Sequence, residues 1–155
     1  ALVFTRHGDE RAEQRRQTMA MLPAFELVLA GRFEPGLRRF AYASRDNDWQ
    51  VERADGAHCR GGLPAGKAGD KARVALLGAL RGLDVAGVFA TPPDCQQAGE
   101  LLALLEVTIH EARPPVTGGR LVLTTACRNE IPEIAALLEQ VAAVYQRHQR
   151  ELACE

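Results

Sequence analysis

Two apolar runs, GVFA at residues 87–90 and LVLT at residues 121–124, decide the fold that this sequence predicts. Neither run alternates apolar with polar residues, as a strand with one solvent-facing side does. We therefore interpret both runs as strands that helices cover on both faces. From residue 71 onward, the predicted order is helix, strand, helix, strand, strand, helix. This order predicts a three-layer α/β sandwich with a mostly parallel central sheet and an extra hairpin.

The remaining elements are predicted from local signals. Strands are expected over residues 1–5, 25–30, 85–90, 107–110 and 121–125, and a hairpin over 37–44 and 49–53. Helices are expected over residues 10–22, 71–80, 94–105 and 131–152. The glycine-rich stretch 55–69 and the Pro/Gly stretch 113–119 are predicted to be loops. Residues 1–155 are expected to form a single α/β domain.

The composition limits the class of partner. The formal net charge is −1 and aromatic residues make up 5%, which argues against a surface that binds nucleic acid. Apolar residues make up 46% and charged residues 25%, as in ordinary globular proteins. No apolar run approaches the roughly 20 residues that span a bilayer, so no membrane span is expected.

The four cysteines, Cys59, Cys95, Cys127 and Cys154, are widely spaced, and none forms a CxxC pair. This spacing gives no support to a zinc ribbon or a thioredoxin-type redox pair. An even number permits two disulfides in an oxidising compartment, whereas four free thiols are normal in the cytosol. The chain begins with Ala1, and we expect that a preceding segment has been removed. The sequence leaves a cytoplasmic and an exported location both open.

Arg6-His7-Gly8 directly follows the predicted strand over residues 1–5. A histidine at the end of a strand, followed by a glycine turn, presents its imidazole at the edge of a sheet. The neighbouring arginine is a permanent cation that suits phosphate. These three residues therefore predict a site that handles a phosphate group.

Further segments follow this motif in a characteristic order. Leu63–Ala72 loosely matches Leu-Thr-x-x-Gly-x-x-Gln-Ala, and the strand that reaches Thr91-Pro92 precedes Gln96-Gln97-Ala98. Ile109-His110-Glu111 matches a Leu-x-Glu segment, and Leu121–Thr125 is a last apolar strand. In this order, the chain resembles the histidine phosphatase superfamily, which has the phosphoglycerate-mutase-like fold.

The resemblance implies a set of roles. His7 would be the nucleophile, Arg6 and Gly8 would hold the phosphoryl oxygens, and Glu111 would protonate the leaving group. Arg128 would add a further phosphate contact. The substrate would be a phosphorylated small molecule or a phosphoprotein, and neither a metal nor another cofactor would be needed.

The chain departs from the family pattern at two charged positions. Cys95 stands where the family has its second arginine, and Ala126 stands where it has its second histidine. Loss of two phosphate ligands predicts weak or absent hydrolysis, with binding retained. The alternative is a non-catalytic interaction or regulatory α/β domain, exported and disulfide-linked, in which Arg6-His7-Gly8 is incidental.

Overall fold

The computed structural model describes residues 13–14, 22–111 and 117–155. Its strands are β1 (Ala24–Phe33), β2 (Leu37–Ala43), β3 (Asp48–Arg53), β4 (His58–Gly61), β5 (Leu101–His110), β6 (Thr117–Thr124) and β7 (Leu152–Cys154). Residues 13–14 are helical, and the helices whose bounds lie within the described ranges are α1 (Lys67–Val85), α2 (Thr125–Glu130) and α3 (Pro132–His148). Two short 3-10 turns cover Asp94–Gln97 and Gln149–Glu151.

The strands form one seven-stranded sheet in the order β6-β5-β1-β2-β3-β4-β7. Every adjacent pair is antiparallel. Consecutive strands are neighbours except where α1 carries the chain from β4 back to β5 beside β1, and where α3 leads to β7. The predicted mostly parallel sheet is therefore wrong.

Alternation of buried and exposed residues explains most of these strands. In β1, Phe25, Leu27 and Leu29 are buried, whereas Glu26 and Ala30 are exposed. A period of two places all the buried residues on one face of a strand, as expected for an antiparallel sheet with one covered face.

Helices α1 and α3 pack against each other, and their apolar stripes share one core with the buried face of the sheet. Leu80 and Leu83 of α1 and Leu137 and Val141 of α3 have no exposed surface. Apolar residues recur every three or four positions in both helices because one face of each helix is buried against the core. Sheet and helices together make two layers around one core, so the predicted three-layer sandwich is also wrong.

The two apolar runs behind that prediction have different structures. Residues 87–90 form a turn after α1, where Gly87 has a φ of 78° and Val88 reaches the core without belonging to a strand. Residues 121–124 do form the end of β6, but β6 lies at an edge of the sheet. An apolar run in a turn or in an edge strand therefore has the same sequence pattern as a strand that helices cover on both faces.

Residues 94–105 are not the predicted helix. A 3-10 turn at Asp94–Gln97 is followed by β5, in which Ala103 and Leu105 are buried and Leu104 is half exposed. The short apolar run at the start of β5 fits either period, and pairing with β1 and β6 selects the strand. The loop predicted over residues 55–69 contains β4, and α1 begins within it at Lys67. Loop residues 117–119 belong to β6.

Other predicted elements are found. The strand over residues 25–30 lies within β1, and the hairpin strands match β2 and β3. The helix over residues 71–80 lies within α1. The C-terminal helix ends at His148, and the chain then turns back into β7. The strand predicted over residues 1–5 lies outside the described residues.

All four cysteines are paired, as Cys59–Cys154 and Cys95–Cys127. The first disulfide joins β4 to β7, and the second joins the Asp94–Gln97 turn to α2. Of the two arrangements that the sequence left open, the structure has the disulfide-linked one.

Two glycines of α1 give a matched test of this packing. A Cβ on Gly69 would overlap the carbonyl oxygen of Pro64, whereas a Cβ on Gly78 would meet nothing within 4 Å. We expect Gly69→Ala to lower the free energy of unfolding by about 1–3 kcal/mol, because backbone must move. We expect Gly78→Ala to raise it by about 0.5–1 kcal/mol, because alanine favours a helix interior. Urea unfolding of both variants measures whether the free energy of unfolding falls or rises. Equal changes in the two variants would contradict the described start of α1.

Candidate functional site

A cavity of about 600 Å³ lies where the tip of the β1–β2 hairpin, the start of β5 and the outer side of α3 come together. This volume falls within the range that holds small-molecule ligands. Four other cavities among the described residues are smaller, with volumes of about 300–470 Å³. The residues that line the first cavity are Arg32, Phe33, Glu34, Gly36, Leu37, Arg38, Ala54, Leu102, Arg128, Ala135, Leu138, Glu139 and Ala142.

The walls of the cavity are mostly apolar. Phe33 and Leu37 are buried, and Leu102 and Leu138 are partly buried. On α3, Ala135 and Ala142 lie one turn before and one turn after Leu138 along the cavity face. Because alanine side chains are short, this face of the helix leaves space beside the hairpin instead of filling it.

Three irregularities in strand pairing lie at this cavity. Between Ala30 and Phe33, β1 has one residue more than β2 opposite it. The pairing of β2 with β3 shifts at Arg38, and the pairing of β5 with β6 shifts at Leu102. Each shift is a bulge, which changes the direction of a side chain and interrupts the regular alternation.

The effect of the β2 bulge is visible in the burial of its neighbours. Leu37 and Phe40 are both almost fully buried although they are three residues apart, which strict alternation would not allow. The residue left out of regular pairing, Arg38, lines the cavity. Arg32 and Leu102 occupy the corresponding positions in the bulges of β1 and β5.

The hairpin tip is held by backbone hydrogen bonds. Gly36 has a φ of 96°, a conformation that glycine adopts readily, and its N–H donates to the carbonyl oxygen of Phe33 at 3.0 Å. The N–H of Ala54 donates to the carbonyl oxygen of Gly36 at 2.9 Å, which ties the tip to the β3–β4 turn. These bonds fix the backbone between Arg32 and Arg38.

The rim of the cavity is charged. Arg32, Arg38 and Arg128 are exposed and stand with two glutamates, Glu34 and Glu139, so the rim carries one more positive than negative charge. Among the described residues, none of the three arginines forms an ion pair or a side-chain hydrogen bond. Their guanidinium groups are therefore available to an anion that enters the cavity.

Arg128 is positioned by the first turn of α2. The hydroxyl of Thr124 accepts a hydrogen bond from the N–H of Cys127 at 3.1 Å and donates one to the carbonyl oxygen of Cys95 at 2.8 Å. The Cys95–Cys127 disulfide joins the same two segments covalently. A capped and cross-linked turn holds the backbone of the residue that follows it.

The sequence-predicted site residues do not come together in the described part of the chain. Arg6, His7 and Gly8 lie outside the described residues. Glu111 directly follows β5, and its Oε1 accepts hydrogen bonds from Arg81 at 2.9 Å (Nη2) and 3.2 Å (Nε). The carboxylate predicted as a proton donor is therefore already engaged in an ion pair with Arg81.

Glu111 and Arg128 lie at opposite ends of the sheet. Leu101, at the start of β5, pairs with Thr124, four residues before Arg128, whereas Glu111 follows the other end. The ten residues of β5 span about 30 Å at roughly 3.3 Å per residue. These two residues cannot contact one small phosphate group in this structure. Of the predicted residues that are described, Arg128 alone lines the cavity.

Sequence reasoning missed Arg32, Arg38, Leu102 and Leu138. A local signal exists in the stretch Arg32–Arg38, where two arginines flank a Pro-Gly turn. No comparable signal marks Leu102 or Leu138, because apolar residues of this kind occur throughout the core.

Comparison of this chain with protein-family models, with curated proteins and with solved structures gave no match. Within the described ranges, no helix combines the length and the apolar character needed to cross a bilayer.

Thr124 provides a test of how the cavity wall is positioned. Thr124→Ala leaves the buried N–H of Cys127 and the carbonyl of Cys95 without this partner, so we expect a loss of about 1–2 kcal/mol in the free energy of unfolding. Thr124→Ser keeps the hydroxyl and should lose less. Chemical denaturation of the two variants measures the difference, and an equal loss would show that the hydroxyl does not act as the cap.

Proposed function

We propose that this chain is a non-catalytic binding domain whose cavity holds a small molecule with an apolar body and an anionic group. The observation that carries the proposal is the set of three bulges around the cavity, which place Arg32 and Arg38 beside apolar walls. Bulges are frequent next to binding sites because they redirect individual side chains. The proposal develops the alternative expected from the sequence, an interaction domain linked by disulfides.

The chemistry of the cavity favours binding over catalysis. A hydrolytic site of the covalent type needs a nucleophile within hydrogen-bonding distance of a base. The described lining residues comprise arginines, glutamates, glycine and apolar residues, without a histidine, cysteine, serine or threonine. Such a lining can enclose and orient a ligand by apolar contact and by charge.

Hydrolysis by a histidine-phosphatase-like domain is not proposed. The three-layer fold that this resemblance implies is not the fold of the described residues. A phosphorylated ligand is compatible with this proposal, because a phosphate group is one of the anions that arginines bind well.

The charge pattern of the rim favours an anion over a cation. Two of the three arginines, Arg32 and Arg38, flank the same hairpin tip, and neither forms an ion pair among the described residues. An anionic head group would pair with these arginines while its apolar chain contacts Phe33, Leu102 and Leu138. Glu34 and Glu139 would weaken the attraction between the rim and an anion. We therefore expect selectivity for anionic head groups that contact the arginines directly.

The disulfides support a function in an oxidising compartment. Both pairs are formed in the structure, and disulfides persist outside the reducing cytosol. We therefore propose that the domain is exported and binds its ligand there.

A single-chain amphiphile tests the proposed ligand class. We expect isothermal titration calorimetry below the micellar concentration to detect binding of decyl phosphate at a stoichiometry of one. Decyltrimethylammonium, with a similar tail and the opposite charge, should bind more weakly because it faces three arginines. Binding of the cation as tightly as the anion would contradict the proposal.

Arginine variants locate the site. We expect Arg38→Ala and Arg128→Ala each to weaken decyl phosphate binding by about fivefold, because an exposed ion pair contributes up to about 1 kcal/mol. Arg120→Ala is the matched control, since Arg120 is an exposed arginine on β6 that pairs with Glu106 at 3.4 Å, away from the cavity. Equal weakening in all three variants would indicate a general charge effect and not this site.

A further inference from the structure

We propose that the edge of β4 is a strand-accepting site, and that its occupant, β7, exchanges between two copies of this chain once the Cys59–Cys154 disulfide is reduced. This interaction surface is separate from the cavity, and the inference does not depend on the proposed ligand.

The fit of β7 to this edge is specific. Its three residues pair with β4 in antiparallel register, Cys59 opposite Cys154 and Gly61 opposite Leu152, and the N–H of Glu155 donates to the carbonyl oxygen of His58 at 2.8 Å. A Cβ on Gly61 would overlap the carbonyl oxygen of Glu151. The close approach of the two backbones therefore requires glycine in β4.

Apart from the disulfide, little holds β7 in place. Leu152 is partly buried, whereas Ala153 and Cys154 are exposed, and the preceding turn at Gln149–Glu151 contains no buried residue. The last buried side chain before this turn is Tyr145 on α3. The few ladder hydrogen bonds of a three-residue strand roughly offset the entropy lost when it is ordered. We therefore infer that the covalent bond keeps β7 on its own copy.

The two disulfides differ in how a reductant reaches them. Cys154 is exposed although its partner Cys59 is only 3% exposed, whereas both cysteines of the other disulfide, Cys95 and Cys127, are buried, at 4% and 0% exposed. Thiol–disulfide exchange requires a thiolate to reach a sulfur atom, so access determines which bond reacts first. A small dithiol should reduce Cys59–Cys154 while Cys95–Cys127 stays intact.

The exchange takes place in two redox steps, a reduction and a reoxidation. A dithiol gives two electrons and two protons to the Cys59–Cys154 disulfide, which becomes two thiols while the dithiol becomes a cyclic disulfide. A disulfide oxidant, such as oxidised glutathione, later takes two electrons and two protons from Cys59 of one copy and Cys154 of another. One disulfide then joins the copies, and two molecules of reduced glutathione leave.

A second copy of the chain is the occupant that the geometry favours. Its β7 brings the same register, the same cysteine and the same backbone approach at Gly61, because both copies are identical. Exchange of an identical element between copies is a low-cost route to a dimer. The open edge of β4 would also favour capture of a strand, since its backbone groups lose their partners when β7 leaves.

Isotope mixing tests the exchange directly. Equal amounts of unlabelled and ¹⁵N-labelled chain are mixed at about 1 mM, near the effective concentration of a tethered segment. The mixture is treated briefly with dithiothreitol, reoxidised with excess oxidised glutathione and digested without reduction. We expect mass spectrometry to find Cys59–Cys154 peptides with one light and one heavy half, and size exclusion to find a dimer. The buried Cys95–Cys127 peptide is the internal control and should stay fully light or fully heavy.

The outcomes separate exchange from other reactions. Only unmixed Cys59–Cys154 peptides would overturn the proposal, because β7 would then return to its own copy. Mixing in both disulfides would overturn it as well, since it would show general unfolding and reshuffling. Gly61→Ala blocks the close approach to Glu151 and should lower the mixed Cys59–Cys154 fraction severalfold, whereas Gly78→Ala should not. An unchanged mixed fraction in Gly61→Ala would show that the cysteines join without strand docking, against the proposal.

Discussion

Burial of one face of an antiparallel sheet beneath α1 and α3 is the constraint on which the rest of this structure depends. The alternating residues of the central strands supply one side of the core, and the apolar stripes of the two helices supply the other. A shift of one residue in any central strand would turn its apolar side chains outward, so burial fixes the register. With the register fixed, each bulge becomes a defined feature at a defined place.

The candidate site follows from that constraint. Regular pairing along the middle of the sheet gives way to three bulges at one end, where Arg32, Arg38 and Leu102 leave the regular alternation. The small residues of α3 leave space opposite them. The core thus supplies a rigid wall, the bulges supply charged groups beside it, and the Cys95–Cys127 disulfide with the Thr124 cap holds Arg128 at the rim.

The edge of the sheet formed by β4 and β7 is organised differently. There, β4 is completed by a strand of three residues that a single disulfide holds in place. The two disulfides accordingly have different consequences: the buried one stabilises the cavity wall, and the more accessible one closes an edge of the sheet. Neither feature includes the residues 6–8 that the sequence motif singled out, and neither requires catalysis.

The sequence by itself determined the β2–β3 hairpin, the strand over residues 25–30, the middle of α1 and the start of α3, because local period and turn residues are decisive there. It also predicted Arg128 as a phosphate contact, and Arg128 lines the cavity. Only the tertiary structure decided that the sheet is antiparallel, that residues 101–105 are strand and that the cysteines pair as they do. An apolar run such as LVLT indicates that its residues are buried, but it does not indicate whether they belong to a central strand, an edge strand or a turn. A bulge cannot be predicted from one strand alone, because it is defined by the pairing with the neighbouring strand. The cavity at Arg32, Arg38 and Leu138 therefore appears only when distant segments are packed together.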